Sequence, residues 1–226
     1  MSISEVKIPK YSLAEELLNA ISHGIGAVFG IVALIMMLAK TIPNGDPFAI
    51  LSACIYGISL IILFTISCVY HALGKNNGKR VLRILDHDMI YILISGTYTP
   101  YMLVSLRPYN VWGLGTGTVA YIMFGFVYVF CIIGVVFNSI NIKKYSKLSM
   151  ICYLLSGWTV VSALPVLWDI ISPTGVMLLL GGGIVYTIGA VLYGIGSKKK
   201  YFHSLFHIFV LAGALLMFIS VYCFVL

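Results

Sequence analysis

Seven stretches of this chain are each long and apolar enough to cross a lipid bilayer, and no other feature constrains its fold as tightly. A hydrocarbon core about 30 Å thick needs about 20 mostly apolar residues per helix. The stretches are Leu17–Ala39, Pro47–Leu73, Ile84–Leu106, Trp112–Phe137, Leu148–Trp168, Pro173–Gly196 and Phe202–Val225. They are continuously apolar rather than alternating, which selects helices over lipid-facing barrel strands. The expected fold is an all-α membrane protein, a seven-transmembrane helix bundle. A short arm over residues 1–16 precedes a single unit over residues 17–226, because no link between spans can hold a further domain. The first span is not expected to be a cleaved signal: Glu15 and Glu16 precede it and no small-residue cleavage site follows. Pro100 and Pro165 are expected to kink their helices.

Composition supports lipid as the solvent. Only 9% of residues are charged, against about 25% in soluble domains. That excludes an ordinary soluble enzyme, a nucleic-acid-binding domain and a disordered chain. The net charge of +7 therefore speaks to topology, not to nucleic acid. Cys54, Cys68, Cys131, Cys152 and Cys223 lie in apolar runs without a CxxC, so packing is expected of them rather than a disulfide framework.

Twelve of the 14 basic residues fall in the N-terminal arm and in the second, fourth and sixth links. Lys40 and Arg107 alone lie on the other side. The positive-inside rule then places the N-terminus in the cytoplasm and the C-terminus outside.

With that orientation all five histidines collect at the cytoplasmic end, together with Glu15, Glu16, Asp86 and Asp88. Ionisable residues inside a span are costly and point to function. His203 and His207 are spaced i and i+4, so they share one helix face, as do Ser67 and His71. Glu16, Asn19 and His23 form a third face at i, i+3 and i+7. Two imidazoles one turn apart suit a single metal ion, and a third ligand plus water makes an open tetrahedral zinc site. His71 is the expected third ligand, and Asp86 the carboxylate that orients the water. Glu16, Asn19, His23 and His87 are expected around the metal or its substrate, Cys68 in packing, and Asp88 as a solvated residue at a helix start. Gly113, Gly115 and Gly117 form a GxGxG with no preceding strand, so phosphate binding is not expected there. The small residues of the sixth span, Gly181 to Gly183 and Gly189, are expected to let helices approach closely.

This constellation resembles the hemolysin III family, which belongs with the progestin and adipoQ receptors. Glu16-Leu-Leu-Asn19-Ala-Ile-Ser-His23 is similar to the first family motif, Ser67-Cys-Val-Tyr-His71 with Leu85-Asp86 to the second, and His203-Ser-Leu-Phe-His207 to the third. The run Ser95-Gly-Thr-Tyr-Thr-Pro100 is typical of bacterial-type members. The resemblance spans nearly the whole chain. It implies zinc on His71, His203 and His207, with Asp86 as base and Ser67 near a developing oxyanion. It also implies hydrolysis of ceramide-like lipid amides at the cell membrane, with membrane lipids as partners. Cytolysin activity and non-catalytic sensing of membrane stress are the alternatives. Seven uniformly apolar spans leave no soluble face, which counts against a primary role as a secreted pore-former.

Overall fold

The computed structural model describes residues 2–196 and 199–226. Ser197 and Lys198, in the expected sixth link, lie outside the described residues. Of the described residues 83% are helical, and none forms a strand. Among the described residues, seven helices are long and apolar enough to cross a membrane. These are α1 (Leu13–Thr41), α2 (Pro47–Ala72), α3 (Asn77–Leu106), α4 (Thr118–Ile140), α5 (Ser146–Ile170), α6 (Ser172–Gly196) and α7 (Phe202–Val225).

The helices pack in chain order, and contacts between α1 and α7 close the ring. Within it α3 is the most enclosed span: 72% of its apolar window is buried, and its mean hydropathy of 1.3 is the lowest of the seven. The two facts have one cause. A helix surrounded by other helices can carry polar groups if each finds a partner. The Tyr101 hydroxyl donates to Ser220 Oγ (2.8 Å), which donates to the Gly175 carbonyl (2.8 Å). Thr99 Oγ1 lies 2.9 Å from the Tyr128 hydroxyl. These bonds tie α3 to α7, α6 and α4.

Three boundaries differ from the sequence expectation. Helix α1 begins at Leu13, a turn before Leu17, because Ser12 caps it. The Glu15 amide donates to Ser12 Oγ, and Glu15 Oε2 accepts from the Ser12 amide in return. Helix α3 begins at Asn77, seven residues before Ile84, capped by the Asn76 side chain. Helix α4 begins at Thr118, and Trp112–Gly117 belongs to the preceding loop. Gly113, Gly115 and Gly117 adopt φ values of 72°, 99° and 78° there. The GxGxG is thus a turn requirement, since left-handed backbone is nearly free only for glycine. In α5 the helix tightens to 3-10 over Thr159–Ala163, and Pro165 sits in the first turn of the last helical segment. After Pro100, α3 continues as a π-helical turn over Tyr101–Leu106. Close helix approach is seen where expected: a Cβ on Gly182 would meet Met217 at 2.9 Å.

Candidate metal centre

Helices α1, α2 and α7 meet at the end of the bundle that carries the N-terminal arm and the α2–α3 link. The contact between α1 and α2 is close because Gly26 leaves room for the Phe64 ring, which a Cβ would overlap. This approach brings the polar face of α1 onto the last turn of α2. The first turn of α7 is held to α1 by Glu15 Oε1, which accepts from the Tyr201 amide at 2.9 Å.

Three imidazoles converge there. His71 on α2 and His203 and His207 on α7 each offer a ring nitrogen within 4.8 Å of the others, and all three are buried. His203 Nε2 lies 3.4 Å from His71 Nε2 and 3.0 Å from His207 Nε2. His71 is held by its other nitrogen: Nδ1–H donates to Glu16 Oε2 at 2.6 Å. This carboxylate–imidazole pair directs the Nε2 lone pair toward the other two histidines. Lys79 completes the chain, its ammonium donating to Glu16 Oε1 (2.7 Å) and to the Leu73 carbonyl (2.9 Å). Asn19 Nδ2 lies 3.4 Å from His71 Nδ1. The His23 ring packs on His207 with centroids 3.8 Å apart. The face formed by Glu16, Asn19 and His23 therefore covers the trio from the α1 side.

The donor set fits a metal ion. Nitrogens about 2.0–2.1 Å from a tetrahedral zinc stand roughly 3.3 Å apart, close to the separations between these Nε2 atoms. Polar atoms without a hydrogen-bond partner also gather on these helices: Asn19 Oδ1, Ser67 Oγ and His207 Nδ1 are buried and unpaired. A site rich in unmet lone pairs is costly unless an ion or water meets them.

Beside the trio opens a cavity of about 730 Å³, its walls including His203, Asp86, His87, Tyr193 and Tyr153 and the apolar Ile90, Leu93, Phe206 and Met217. The N-terminal arm forms part of the wall through Glu5, Val6 and Lys7. Tyr11 stacks on His203, centroids 4.8 Å apart and rings 15° from parallel. Burial pushes the Tyr11 phenol well above its ordinary pKa, so it caps the histidine as a neutral ring.

Known proteins resemble this chain over most of its length. The family model described as "Haemolysin-III related" matches residues 11–218. The chain belongs to the hemolysin III family. It is similar to "Hemolysin-3" of Bacillus cereus, 34% identical over 212 residues, covering 94% of this chain and 92% of that one. It is similar to "Hemolysin-3 homolog" of Bacillus subtilis (strain 168), 35% identical over 215 residues, covering 94% and 96%. A human relative, "Monocyte to macrophage differentiation factor", is 26% identical over 169 residues, covering 73% and 66%. This hemolysin III family chain is thus a multi-pass membrane protein with a histidine trio that could hold a metal ion.

The remaining motif residues of the hemolysin III chain are placed as follows. Ser67 lies one turn before His71 on α2, its hydroxyl buried. Asp86 lies on the cavity wall, one carboxylate oxygen 4.0 Å from His87 Nδ1. His87 stands apart from the trio: Nδ1–H donates to the Arg83 carbonyl (2.8 Å), and the Tyr193 hydroxyl donates to Nε2 (2.8 Å). Cys68 packs toward α1, where a Cβ on Gly24 would meet its sulfur at 3.5 Å. Asp88 is not a solvated helix-start residue. It is 2% exposed and accepts from Asn138 Nδ2 (2.7 Å) and Ser139 Oγ (2.9 Å), locking α3 to α4. Sequence reasoning missed Lys79 and Tyr11. The signal for Lys79 was its i+3 place from Asn76, which caps α3 and turns that lysine inward.

Proposed function

We propose that this hemolysin III family protein is a zinc-dependent hydrolase of lipid amides in the cell membrane, with its histidine end toward the cytoplasm. The observation that carries this reading is that His203 and Asp86 share the wall of one large, mostly apolar cavity. A cavity of that size suits a lipid-sized ligand. The surplus of basic residues in the arm and links at this end supports the orientation.

Zinc on His71, His203 and His207 would bring the pKa of a coordinated water toward about 7 and polarise the amide carbonyl. Asp86 takes the proton from the attacking water. The Ser67 hydroxyl donates to the carbonyl oxygen as negative charge develops on it. Asp86 then returns its proton to the amide nitrogen as the C–N bond breaks. Water is thereby divided between a fatty acid and a free amine. The apolar walls around Leu93, Phe206 and Met217 hold the acyl chain, and Tyr11 limits water above His203.

The test is fatty-acid release from N-acyl sphingosine by purified protein, with metal content measured in each sample. Asp86→Asn should keep its zinc and lose about 100-fold or more in turnover, the scale of a missing general base. Zinc-loaded protein that releases no fatty acid, or an Asp86→Asn variant with full turnover, overturns the reading.

A further inference from the structure

We propose that Arg83, with Lys7 and Lys143, forms a binding site for the phosphate-bearing headgroup of a lipid whose acyl chain fills the adjoining cavity. The inference rests on the hydrolase reading only in placing the amide of that lipid beside His203. Three segments contribute: the N-terminal arm, the second turn of α3 and the α4–α5 link, and all three residues line the same cavity as His203 and Asp86.

Arg83 is the centre of the argument. Its side chain is half-buried, and its Nε is fully buried with no partner. Among the described residues its guanidinium makes no hydrogen bond and no ion pair. Arg83 lines the cavity together with Tyr193 and His203, which places it at the histidine end. A buried N–H donor without a partner is costly, and Nε is such a donor. Asp86, one turn along the same helix, is available by spacing, yet no ion pair forms. Two opposite charges therefore face one cavity separately, one beside the proposed chemistry and the other free to bind.

The fork of a guanidinium matches the oxygens of a phosphate in geometry and charge. Lys7 and Lys143 are exposed on the rim, where they add charge without a fixed geometry. The two acids of the lining do not cancel the site. Glu5 Oε2 already accepts from the Ser2 amide at 2.8 Å, and Asp86 is the proposed base. A neutral lipid amide would leave Arg83 unpaired in the complex, whereas a phosphorylated one satisfies it.

The experiment measures binding to the full chain in uncharged detergent, using thermal protection as the readout. The probes are short-chain N-acyl sphingosine, its 1-phosphate, and inorganic phosphate. The phosphorylated lipid should bind about 10-fold tighter than the uncharged one, as one charged hydrogen-bonding partner predicts. Arg83→Gln should abolish that preference and Arg83→Lys should retain part of it. If Arg83→Gln fails to fold, the exposed pair Lys7→Gln and Lys143→Gln should still reduce the preference by about threefold. Equal binding of the two lipids overturns the proposal, as does a preference that survives these substitutions. Protection by inorganic phosphate equal to that of the phosphorylated lipid would assign the site to free phosphate and overturn the headgroup. Because binding needs no turnover, a preference without hydrolysis keeps this site and removes the hydrolase reading. Hydrolysis without a preference does the reverse.

Discussion

Replacing Glu16 by Gln separates two jobs that its carboxylate performs. One oxygen accepts from His71 Nδ1 at 2.6 Å and the other from the Lys79 ammonium at 2.7 Å. The Lys79 side chain is 3% exposed and that of Glu16 17%. Breaking a buried ion pair by removing one partner costs about 3–5 kcal/mol. Lys79 keeps the Leu73 carbonyl and lies 5.2 Å from the Tyr70 ring centre. Gln also retains an acceptor, so the loss here should be nearer 2 kcal/mol. The second job is to hold His71 in one tautomer and orientation, and losing such a partner lowers metal affinity by about 10- to 100-fold. Adding Lys79→Met removes the stranded ammonium. The double variant should therefore regain most of the thermal stability and none of the metal affinity. Unfolding of metal-free protein gives the first quantity, and zinc competition against a chromophoric chelator gives the second. If Glu16→Gln binds zinc within about twofold of the parent, the carboxylate does not orient His71. If affinity and stability recover together in the double variant, the metal effect was only loosening of the fold.

Two further outcomes are expected. A reporter fused after Leu226 should be external and one inserted in the α2–α3 link cytoplasmic; a cytoplasmic C-terminus would reverse the proposed orientation and move the histidine end to the outer leaflet. Gly26→Ala puts a methyl group into the Phe64 ring and should cost about 1–3 kcal/mol. Phe64→Leu in the same chain should recover part of that loss, and a neutral Gly26→Ala would show that α1 and α2 are not held at this contact.

The seven spans and the histidine spacing were legible because both depend on local periodicity. His203 and His207 must share a face wherever their helix lies, and Glu16, Asn19 and His23 must do the same. What local pattern cannot supply is which faces meet. Lys79 looked like one of four cations in a solvated link, but Asn76 starts α3 early and carries that lysine inward to Glu16. Asp88 looked solvated for the same reason, since the span was placed from Ile84 and the buried partner Asn138 lies 50 residues away. The early start of α1 was readable in Ser12-Leu-Ala-Glu15, a capping box that apolar content alone passes over. Trp112 and the glycines after it were apolar enough to pass for helix, and the left-handed backbone that rules this out shows only in three dimensions.

The enclosure of α3 bears on how the chain is made. A segment of mean hydropathy 1.3 that carries charges in its first turns gains little by entering lipid alone. The hydroxyls of Tyr91, Tyr98, Thr99 and Tyr101 find partners on α5, α4 and α7, which leave the ribosome later. During synthesis α3 must therefore wait at the translocation channel, or shelter against α2, until those helices arrive. Assembly of the polar site is thus among the last events of biogenesis, and a nascent chain stalled before α7 holds a half-sheltered helix that quality-control proteases can recognise.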